Sequence, residues 1–326
     1  MTDTQHPVST RHLVDPEVAD MLDSFPPFTF TAETVPLIRE AMVQPRPGVP
    51  DPAELFPGVT RTLHHVTGLN GDPEVPVLLY EPENRAATAP GMVWIHGGGF
   101  VIGTAEGEDL TARRIAAETG AVVASVDYRL APETRAPGSV HDCYAVLGWL
   151  HGQAGALGLD QSRIAVGGAS AGGGLAACLS ILARDRAEFP VSFQMLIYPM
   201  LDDRTASTAD PHPYAGEFIW TPAANRFGWT ALLGHEPGGD KVSPYAAAAR
   251  VESTAGLPPA YISVGALDLF AEEDIDYARR LLSAGGPTEL HVYPGAYHGY
   301  NMVAGARVTQ AHFRDFIGAL NRSFHG

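Results

Sequence analysis

The residues that could do chemistry centre on Ser170, which lies between Gly168 and Gly172 in the frame G-x-S-x-G. The apolar run Ile164 to Val166 precedes this frame and an alanine-rich helical pattern follows it, which predicts a tight strand-to-helix turn. Glycines on both sides leave room for such a turn, which pushes the serine hydroxyl out above the sheet. A hydroxyl presented in this way is a candidate nucleophile. The alternative is a glycine-rich turn that only packs or binds phosphate.

A candidate base and a candidate acid follow the serine in the order that this chemistry requires. A serine hydroxyl needs a base to take its proton, and the base needs a carboxylate to orient it. On such a turn the order along the chain is serine, acid, histidine. Asp268 and His298 each follow an apolar run that predicts a strand, and we assign them as acid and base. Asp268 could instead cap the following helix, and Asp202 and Asp203 are rival acids that lie one strand earlier.

A glycine-rich loop, His96 to Gly99, follows an earlier predicted strand. Attack by a serine places negative charge on the former carbonyl oxygen, and each backbone N–H that faces it contributes about 3 kcal/mol. One such donor is Ala171, after the serine, and the others come from the glycine-rich loop. The alternative is a phosphate loop, but neither a G-x-G-x-x-G frame nor a P-loop lysine is present. We expect His96 itself to brace the loop.

Predicted strands and helices, which must position these side chains, alternate along the chain from about residue 60. The patterns predict an α/β fold with a doubly wound, mostly parallel central sheet. Strands are predicted over residues 61–66, 75–80, 92–95, 121–126, 193–198, 261–264 and 290–293, besides the strand before Ser170. Helices are predicted over residues 15–23, 31–42, 109–119, 140–151, 271–284 and 308–324, besides the helix after Ser170, with a proline-rich stretch over 45–57.

Composition and charge restrict the partners. The 326 residues carry a formal net charge of −16, which argues against nucleic acid and anionic membranes as partners. No signal-peptide pattern and no apolar run of about 18 residues occurs, so we expect a cytoplasmic protein without membrane contact. Cys143 and Cys178 lie in apolar helical patterns and are expected to be buried thiols.

The chain resembles the hormone-sensitive-lipase-like family (bacterial family IV) of α/β-hydrolase esterases from about residue 60 to its end. The motifs that carry the resemblance are His96-Gly97-Gly98-Gly99-Phe100, Tyr128-Arg129-Leu130-Ala131-Pro132-Glu133, the turn from Gly168 to Gly173, Asp268 and His298-Gly299. Two positions depart from the family pattern. Ala169 stands where the family often has Asp, and Leu269-Phe270 stands where it often has Pro-Leu.

The resemblance implies a carboxylester hydrolase that acts on a small-molecule ester through an acyl-enzyme. It implies the triad Ser170, Asp268 and His298, oxyanion donors from Gly98, Gly99 and Ala171, and short acyl groups such as acetyl. It implies no metal and no cofactor. A homodimer through the last strand and helix is suggested by family analogy.

The resemblance also implies a helical cap over the catalytic domain. The expected division is residues 1–55 for the N-terminal part of the cap, 56–200 and 246–326 for the two parts of the catalytic domain, and 201–245 for the cap insertion. The insertion is rich in aromatic residues, and Phe218 and Trp220 are candidates for lining the pocket of the acyl or alcohol group. The alternative is that they only pack the cap against the catalytic domain.

Two other functions stay open on the sequence alone. One is a different serine acyl-transfer reaction, such as amide hydrolysis or acetyl transfer. The other is a non-catalytic small-molecule binder on the same scaffold, because the family resemblance extends to receptors that have lost the triad histidine. The presence of His298 disfavours the binder.

Overall fold

Eight strands form one sheet in the computed structural model, which describes residues 9–24, 29–44, 50–207 and 211–326. The strands are β1 (Val59–Val66), β2 (Val75–Pro82), β3 (Ala89–Ile95), β4 (Val122–Val126), β5 (Leu159–Ala169), β6 (Phe193–Ile197), β7 (Ala260–Gly265) and β8 (Thr288–Tyr293). Their order across the sheet is β1-β2-β4-β3-β5-β6-β7-β8. β2 pairs antiparallel with β1 and β4, and the other neighbours are parallel, so the predicted fold class is confirmed.

Ten α-helices lie in the described residues. They are α1 (Pro16–Ala19), α2 (Thr34–Met42), α3 (Pro52–Leu55), α4 (Asp109–Thr119), α5 (Gly138–Gly152), α6 (Ala154–Leu157), α7 (Ala171–Arg186), α8 (Pro222–Leu233), α9 (Ala271–Ser283) and α10 (Arg307–His325). In these described ranges, no helix has both the length and the apolar character to cross a membrane.

Most predicted helices are reproduced closely, and the differences have local causes. α2 begins at Thr34 instead of residue 31, because the Thr31 hydroxyl accepts hydrogen bonds from the N–H groups of Glu33 and Thr34 and so forms a turn before the helix. The proline-rich stretch contains the short helix α3, and its residues 45–49 lie outside the described residues. The sequence patterns predicted no helix for α8.

Helices cover both faces of the sheet and bury its central strands. β3, β4, β6 and β7 are buried at every residue, as is typical of parallel strands with helices on both sides. Side chains alternate across β3, so that Val93 and Ile95 join one core and Met92 and Trp94 join the other. α5 and α7 belong to the first core, and α4 and α10 belong to the second. Cys143 and Cys178 are buried free thiols in the first core.

The N-terminal residues pack against the loops that follow the carboxyl ends of the strands. The Asp15 N–H donates to the carbonyl of Gly295 (3.0 Å), and the Tyr297 hydroxyl donates to the carbonyl of Val18 (2.8 Å). Val18 is fully buried. This segment therefore holds the loop after β8, which carries His298.

Two buried carboxyl groups lie in the first turn of α9. Glu273 accepts hydrogen bonds from the N–H groups of Leu201 (2.7 Å) and Asp202 (3.2 Å) and from the Thr205 hydroxyl. Asp274 is fully buried, and neither of its carboxyl oxygens has a hydrogen-bond partner among the described residues. Burial raises the pKa of both groups well above their usual values, because the charged form loses its hydration.

We predict that Asp274→Asn stabilises the protein at neutral pH. Above pH 4 the unfolded chain ionises Asp274 while the native state keeps its proton, so this group lowers stability as the pH rises towards its native pKa. Asparagine has the same shape and no proton to lose. We expect a gain of about 1 kcal/mol or more in the free energy of unfolding at pH 8 and a smaller gain at pH 5.

The measurement is urea unfolding of the variant and the wild type at both pH values. Glu272→Gln is the matched control, because Glu272 lies in the same helical turn and is exposed to solvent. An equal gain at pH 5 and pH 8 would show that Asp274 is not buried as an unpaired acid.

Candidate active site

Ser170 lies in a strained backbone conformation between a strand and a helix. β5 ends at Ala169 and α7 begins at Ala171, so the turn consists of the serine alone. Its φ of 56° and ψ of −122° are unfavourable for a residue with a side chain. Three hydrogen bonds hold it there: its N–H donates to the carbonyl of Ile197 (2.9 Å), and its carbonyl accepts from the N–H groups of Gly174 and Met200 (3.0 Å each).

The glycines around Ser170 allow this turn to approach β3. A side chain at Gly168 or Gly172 would collide with the backbone carbonyl of Ile95, the last residue of β3. A side chain at Gly168 would also collide with the backbone of Gly172. The glycine spacing that the sequence shows is therefore required by close packing of backbone against backbone.

The structure brings Ser170, His298 and Asp268 into one chain of contacts. The serine Oγ lies 2.9 Å from His298 Nε2, and His298 Nδ1 lies 2.8 Å from Asp268 Oδ2. Since a carboxylate can only accept, Nδ1 carries the proton and Nε2 is free to accept from the serine hydroxyl. The second oxygen of Asp268 accepts from the N–H of Phe270 (3.0 Å), which fixes the carboxylate plane. All three groups are nearly buried, and the exposed fractions are 7%, 6% and 0% for Ser170, His298 and Asp268.

Two neighbouring loops hold the acid and the histidine at a fixed distance. The loop after β7 carries Asp268, and the loop after β8 carries His298. The Ala266 N–H donates to the carbonyl of Tyr293, and the Leu267 N–H donates to that of Ala296 (2.9 Å each). Because the two strands are adjacent and parallel, these bonds continue the sheet contact into the loops.

The two rival acids have other partners. Asp202 accepts from the N–H of Arg204 (2.9 Å) and pairs with its guanidinium, at the start of a short 3₁₀ helix. Asp203 is fully buried and accepts two hydrogen bonds from Arg250 (2.7 and 2.9 Å) and one from the Gly238 N–H (2.6 Å). Both carboxylates thus organise the segment after β6, and Asp268 is the acid that contacts His298.

The glycine-rich loop after β3 faces Ser170. A side chain at Gly97 would lie 3.4 Å from the serine Cβ, and the next three residues all have positive φ: Gly98 (112°), Gly99 (59°) and Phe100 (68°). Within the described residues, the N–H groups of Gly98, Gly99 and Ala171 donate to no protein acceptor. These donors are available to a group bound beside Ser170.

His96 braces this loop, as the sequence predicted. Its Nδ1 donates to the carbonyl of Gly97 (2.8 Å), and its ring stacks on Tyr128 with the centroids 4.2 Å apart. The Tyr128 hydroxyl donates to the carbonyl of His96 (3.1 Å). Burial lowers the pKa of His96, so the ring stays neutral.

Aromatic rings surround His298. The edge contacts are with Tyr198 (centroids 4.8 Å apart) and Phe270 (5.2 Å), and the Trp220 ring lies at 6.3 Å. Trp220 is 5% exposed and lies directly against Gly99, where a side chain would collide with the indole. Such rings exclude water from the imidazole and leave an apolar surface beside the serine.

Phe218 and Trp220, the two predicted pocket residues, have different surroundings. Phe218 is half-buried and contacts Tyr297 in the loop of His298 (6.1 Å). Trp220 also contacts Phe30, from the segment before α2 (5.4 Å). Sequence reasoning missed Tyr198, Phe270 and Phe30, although Phe270 could have been suspected from its position two residues after Asp268.

A polar network supports the loop beyond His298. The Tyr198 hydroxyl donates to Asn301 Oδ1 (2.9 Å), the Asn301 amide lies 3.4 Å from His312 Nε2, and His312 Nδ1 lies 3.0 Å from the Tyr300 hydroxyl. Burial lowers the pKa of His312 to about 3, so it stays neutral and can accept from the amide. Sequence reasoning found no role for these residues.

Comparisons with known proteins show which proteins the whole chain resembles. A family model described as alpha/beta hydrolase fold matches residues 92–302. Carboxylesterase NlhH of Mycobacterium tuberculosis is 36% identical over 300 residues, which cover 90% of this chain and 91% of that protein. The solved structure of a bacterial heroin esterase is 41% identical with a TM-score of 0.87, covering 98% of this chain and 100% of that one. The solved structure of esterase LipW from Mycobacterium marinum is 36% identical with a TM-score of 0.82, covering 97% of this chain and 98% of that one.

We predict that Gly172→Ala severely destabilises the protein. The added Cβ meets a backbone carbonyl of β3, which cannot move without breaking the sheet, so we expect a loss of about 3 kcal/mol or more. Gly155→Ala is the control, because Gly155 lies in α6 with no atom within 4 Å of the added Cβ. Thermal unfolding of both variants tests this, and equal melting temperatures would contradict the close approach.

Proposed function

The chain belongs to the α/β-hydrolase fold family, within its hormone-sensitive-lipase-like branch, and from this premise we propose that Ser170, His298 and Asp268 hydrolyse carboxylic esters through an acyl-enzyme. The curated relatives include carboxylesterases and esterases, and the protein is a carboxylesterase. The proposal concerns the residues that carry out the ester hydrolysis. The observation that carries it is the continuous chain from the serine Oγ to the histidine (2.9 Å) and on to the buried carboxylate (2.8 Å).

In the first half of the proposed reaction, His298 acts as base and then as acid. Its Nε2 takes the proton of the Ser170 hydroxyl while the Oγ forms a bond to the acyl carbon. The resulting imidazolium is stabilised by Asp268, and it then gives the same proton to the leaving alkoxide as the ester C–O bond breaks. The alcohol departs and the acyl group stays on Ser170. In the second half, His298 takes a proton from a water molecule while the water oxygen forms a bond to the acyl carbon. The imidazolium then returns this proton to the Ser170 Oγ as the acyl–serine bond breaks, and the carboxylic acid departs.

The charge of the tetrahedral intermediate requires donors beside Ser170. We assign this role to the N–H groups of Gly98, Gly99 and Ala171. Their support is that each is unpaired within the described part of the chain and lies in the loop or at the helix start that flanks the serine. Ala171 also begins α7, so the partial positive charge of the helix N-terminus acts on the same oxygen.

We predict that Ser170→Ala and Asp268→Asn each lower kcat by at least about 10⁴, with the fold intact. The first removes the nucleophile, and the second replaces the carboxylate with a neutral amide, whose NH2 group can face the histidine and favour the wrong tautomer. Hydrolysis of p-nitrophenyl acetate measures the effect. Asp202→Asn is the matched control, since its carboxylate pairs with Arg204. Loss of activity in Asp202→Asn with near wild-type rate in Asp268→Asn would contradict the assignment.

The same assays separate the other functions. Matched amides and alcohol acceptors, offered beside the ester, distinguish an amidase or an acetyltransferase from an ester hydrolase. A fluorophosphonate probe forms a covalent adduct only with an activated serine, so absence of labelling at Ser170 in folded protein would favour a non-catalytic binder.

We further propose that the described parts of residues 1–55 and 201–245 form a cap that limits the acyl group to short chains such as acetyl. The support is the position of Trp220, which is buried against Gly99 and beside His298, in contact with two of the elements that flank the serine. Phe218 is assigned to the same wall through its contact with Tyr297. The solved structure that matches this chain with a TM-score of 0.87 is named a bacterial heroin esterase, which supports an ester of a small molecule as the substrate.

We predict that Trp220→Leu widens this side of the pocket and shifts the preference towards longer acyl chains. The ratio of kcat/KM for p-nitrophenyl octanoate to that for the acetate should rise by at least roughly tenfold, because even one additional methylene that fits the pocket changes the discrimination by about that factor. Tyr214→Leu is the control, since this residue of the insertion is 56% exposed. An unchanged ratio in the Trp220 variant would place the acyl pocket elsewhere.

A further inference from the structure

An arginine of the N-terminal segment is hydrogen-bonded to the glycine-rich loop. Arg39 lies in α2, and its Nε donates to the carbonyl of Val101 (2.7 Å). One terminal nitrogen donates to the carbonyl of Ala131 (2.8 Å), and both terminal nitrogens bind the carboxylate of Glu133 (2.8 and 3.0 Å). The guanidinium therefore joins α2 to the loops that follow β3 and β4.

Backbone hydrogen bonds connect the Val101 carbonyl to the Gly99 N–H. The Val101 carbonyl shares its peptide group with the N–H of Ile102, and that N–H donates to the carbonyl of Gly98 (3.0 Å). The Gly98 carbonyl shares its peptide group with the N–H of Gly99, which is unpaired within the described residues. Two peptide groups thus connect the Arg39 cation to the Gly99 N–H in one head-to-tail chain.

A second branch reaches the same peptide group. The Ala131 N–H donates to the carbonyl of Phe100 (2.9 Å). The Phe100 carbonyl shares its peptide group with the N–H of Val101, and that N–H donates to the carbonyl of Gly98 (3.0 Å). The Gly98 carbonyl therefore accepts two hydrogen bonds. Each bond accepted by a carbonyl makes the N–H of the same peptide group a stronger donor, because the peptide dipoles polarise one another. The Gly99 N–H is at the end of both branches.

This series of hydrogen bonds also fixes the glycine-rich loop, whose backbone conformation is strained. Gly98, Gly99 and Phe100 have positive φ in succession, and Phe100 has a side chain that disfavours this region. Such a conformation persists only when its surroundings hold it. Arg39 holds the carbonyl that follows Phe100, so it restricts the rotation of the peptide groups that aim the Gly99 N–H.

We propose that Arg39 is a positioning residue for ester hydrolysis, which aligns and polarises the Gly98–Gly99 peptide group so that the Gly99 N–H binds the oxyanion. This inference rests on the proposed function of the loop. The ion pair with Glu133 is a separate contact: the Glu133 side chain is 64% exposed, and exposed ion pairs contribute little. The contribution of Arg39 therefore depends on its bond to the loop, and the loss of Glu133 leaves that bond in place.

The test measures the affinity of a short alkyl trifluoromethyl ketone, whose carbonyl carbon forms a bond to the Ser170 Oγ and leaves an oxyanion on the former carbonyl oxygen. We expect Arg39→Gln to weaken this affinity by about two- to eightfold, since the polarisation is a fraction of the effect of one donor. We expect kcat/KM for p-nitrophenyl acetate to fall by the same factor, because the ketone adduct resembles the transition state.

Two further variants separate the loop contact from simple anchoring of α2. Arg39→Lys keeps the charge and one donor for Val101, and should restore at least half of the lost affinity. Glu133→Gln should keep the ketone affinity and kcat/KM within twofold of the wild type. A loss in Glu133→Gln that equals or exceeds that of the Arg39 variants would overturn the proposal, because α2 would then act only through the ion pair.

The remaining outcomes separate this inference from the function on which it rests. Wild-type ketone affinity in folded Arg39→Gln overturns the role of Arg39 alone. Equal ketone affinity in the wild type and Ser170→Ala overturns the proposed acyl-enzyme and the role of Arg39 with it. If Arg39→Gln fails to fold, Arg39→Lys and Glu133→Gln decide: a moderate loss in the first and none in the second supports the proposal, and the reverse overturns it.

Discussion

The close approach of the Ser170 turn to the end of β3 is the constraint on which the rest of the site depends. Gly168 and Gly172 allow the turn to lie against the Ile95 carbonyl, and the glycine-rich loop leaves β3 at the next residue. The serine and the free N–H groups are therefore neighbours because two backbones touch. This explains why the site tolerates a strained serine: the strain is held by sheet and helix bonds that exist for other reasons.

The N-terminal segment supports both sides of this site. Its first part binds the loop of His298 through the Gly295 carbonyl and Tyr297. Its second part binds the glycine-rich loop through Arg39. A segment that the family resemblance assigned to the cap thus contacts the loop of the proposed base and the loop of the proposed oxyanion donors. If the proposed cap moved as a unit, both contacts would change together.

The sequence predicts features that depend on local pattern and leaves out those that depend on contacts across the fold. Ser170, the order of Asp268 and His298, and the class of the sheet follow from glycine spacing and from alternating strands and helices. Nothing near Arg39 in the sequence signals a contact 62 residues away with Val101. The edge contact of Tyr198 with His298 depends in the same way on two loops that meet only in the folded sheet.

The buried carboxyl groups near His298 lower the stability of the protein to different extents. Asp268, Glu273 and Asp274 lie within two turns of chain and are all buried, but only Asp268 contacts a histidine. Three donors from the segment after β6 partly offset the cost of burying Glu273, and these hydrogen bonds connect that segment to α9. Asp274 has no such partner among the described residues, and its neighbours are acids, so burial keeps it protonated. The stability lost by burying Asp274 therefore falls on a residue that takes no part in the proposed proton transfer.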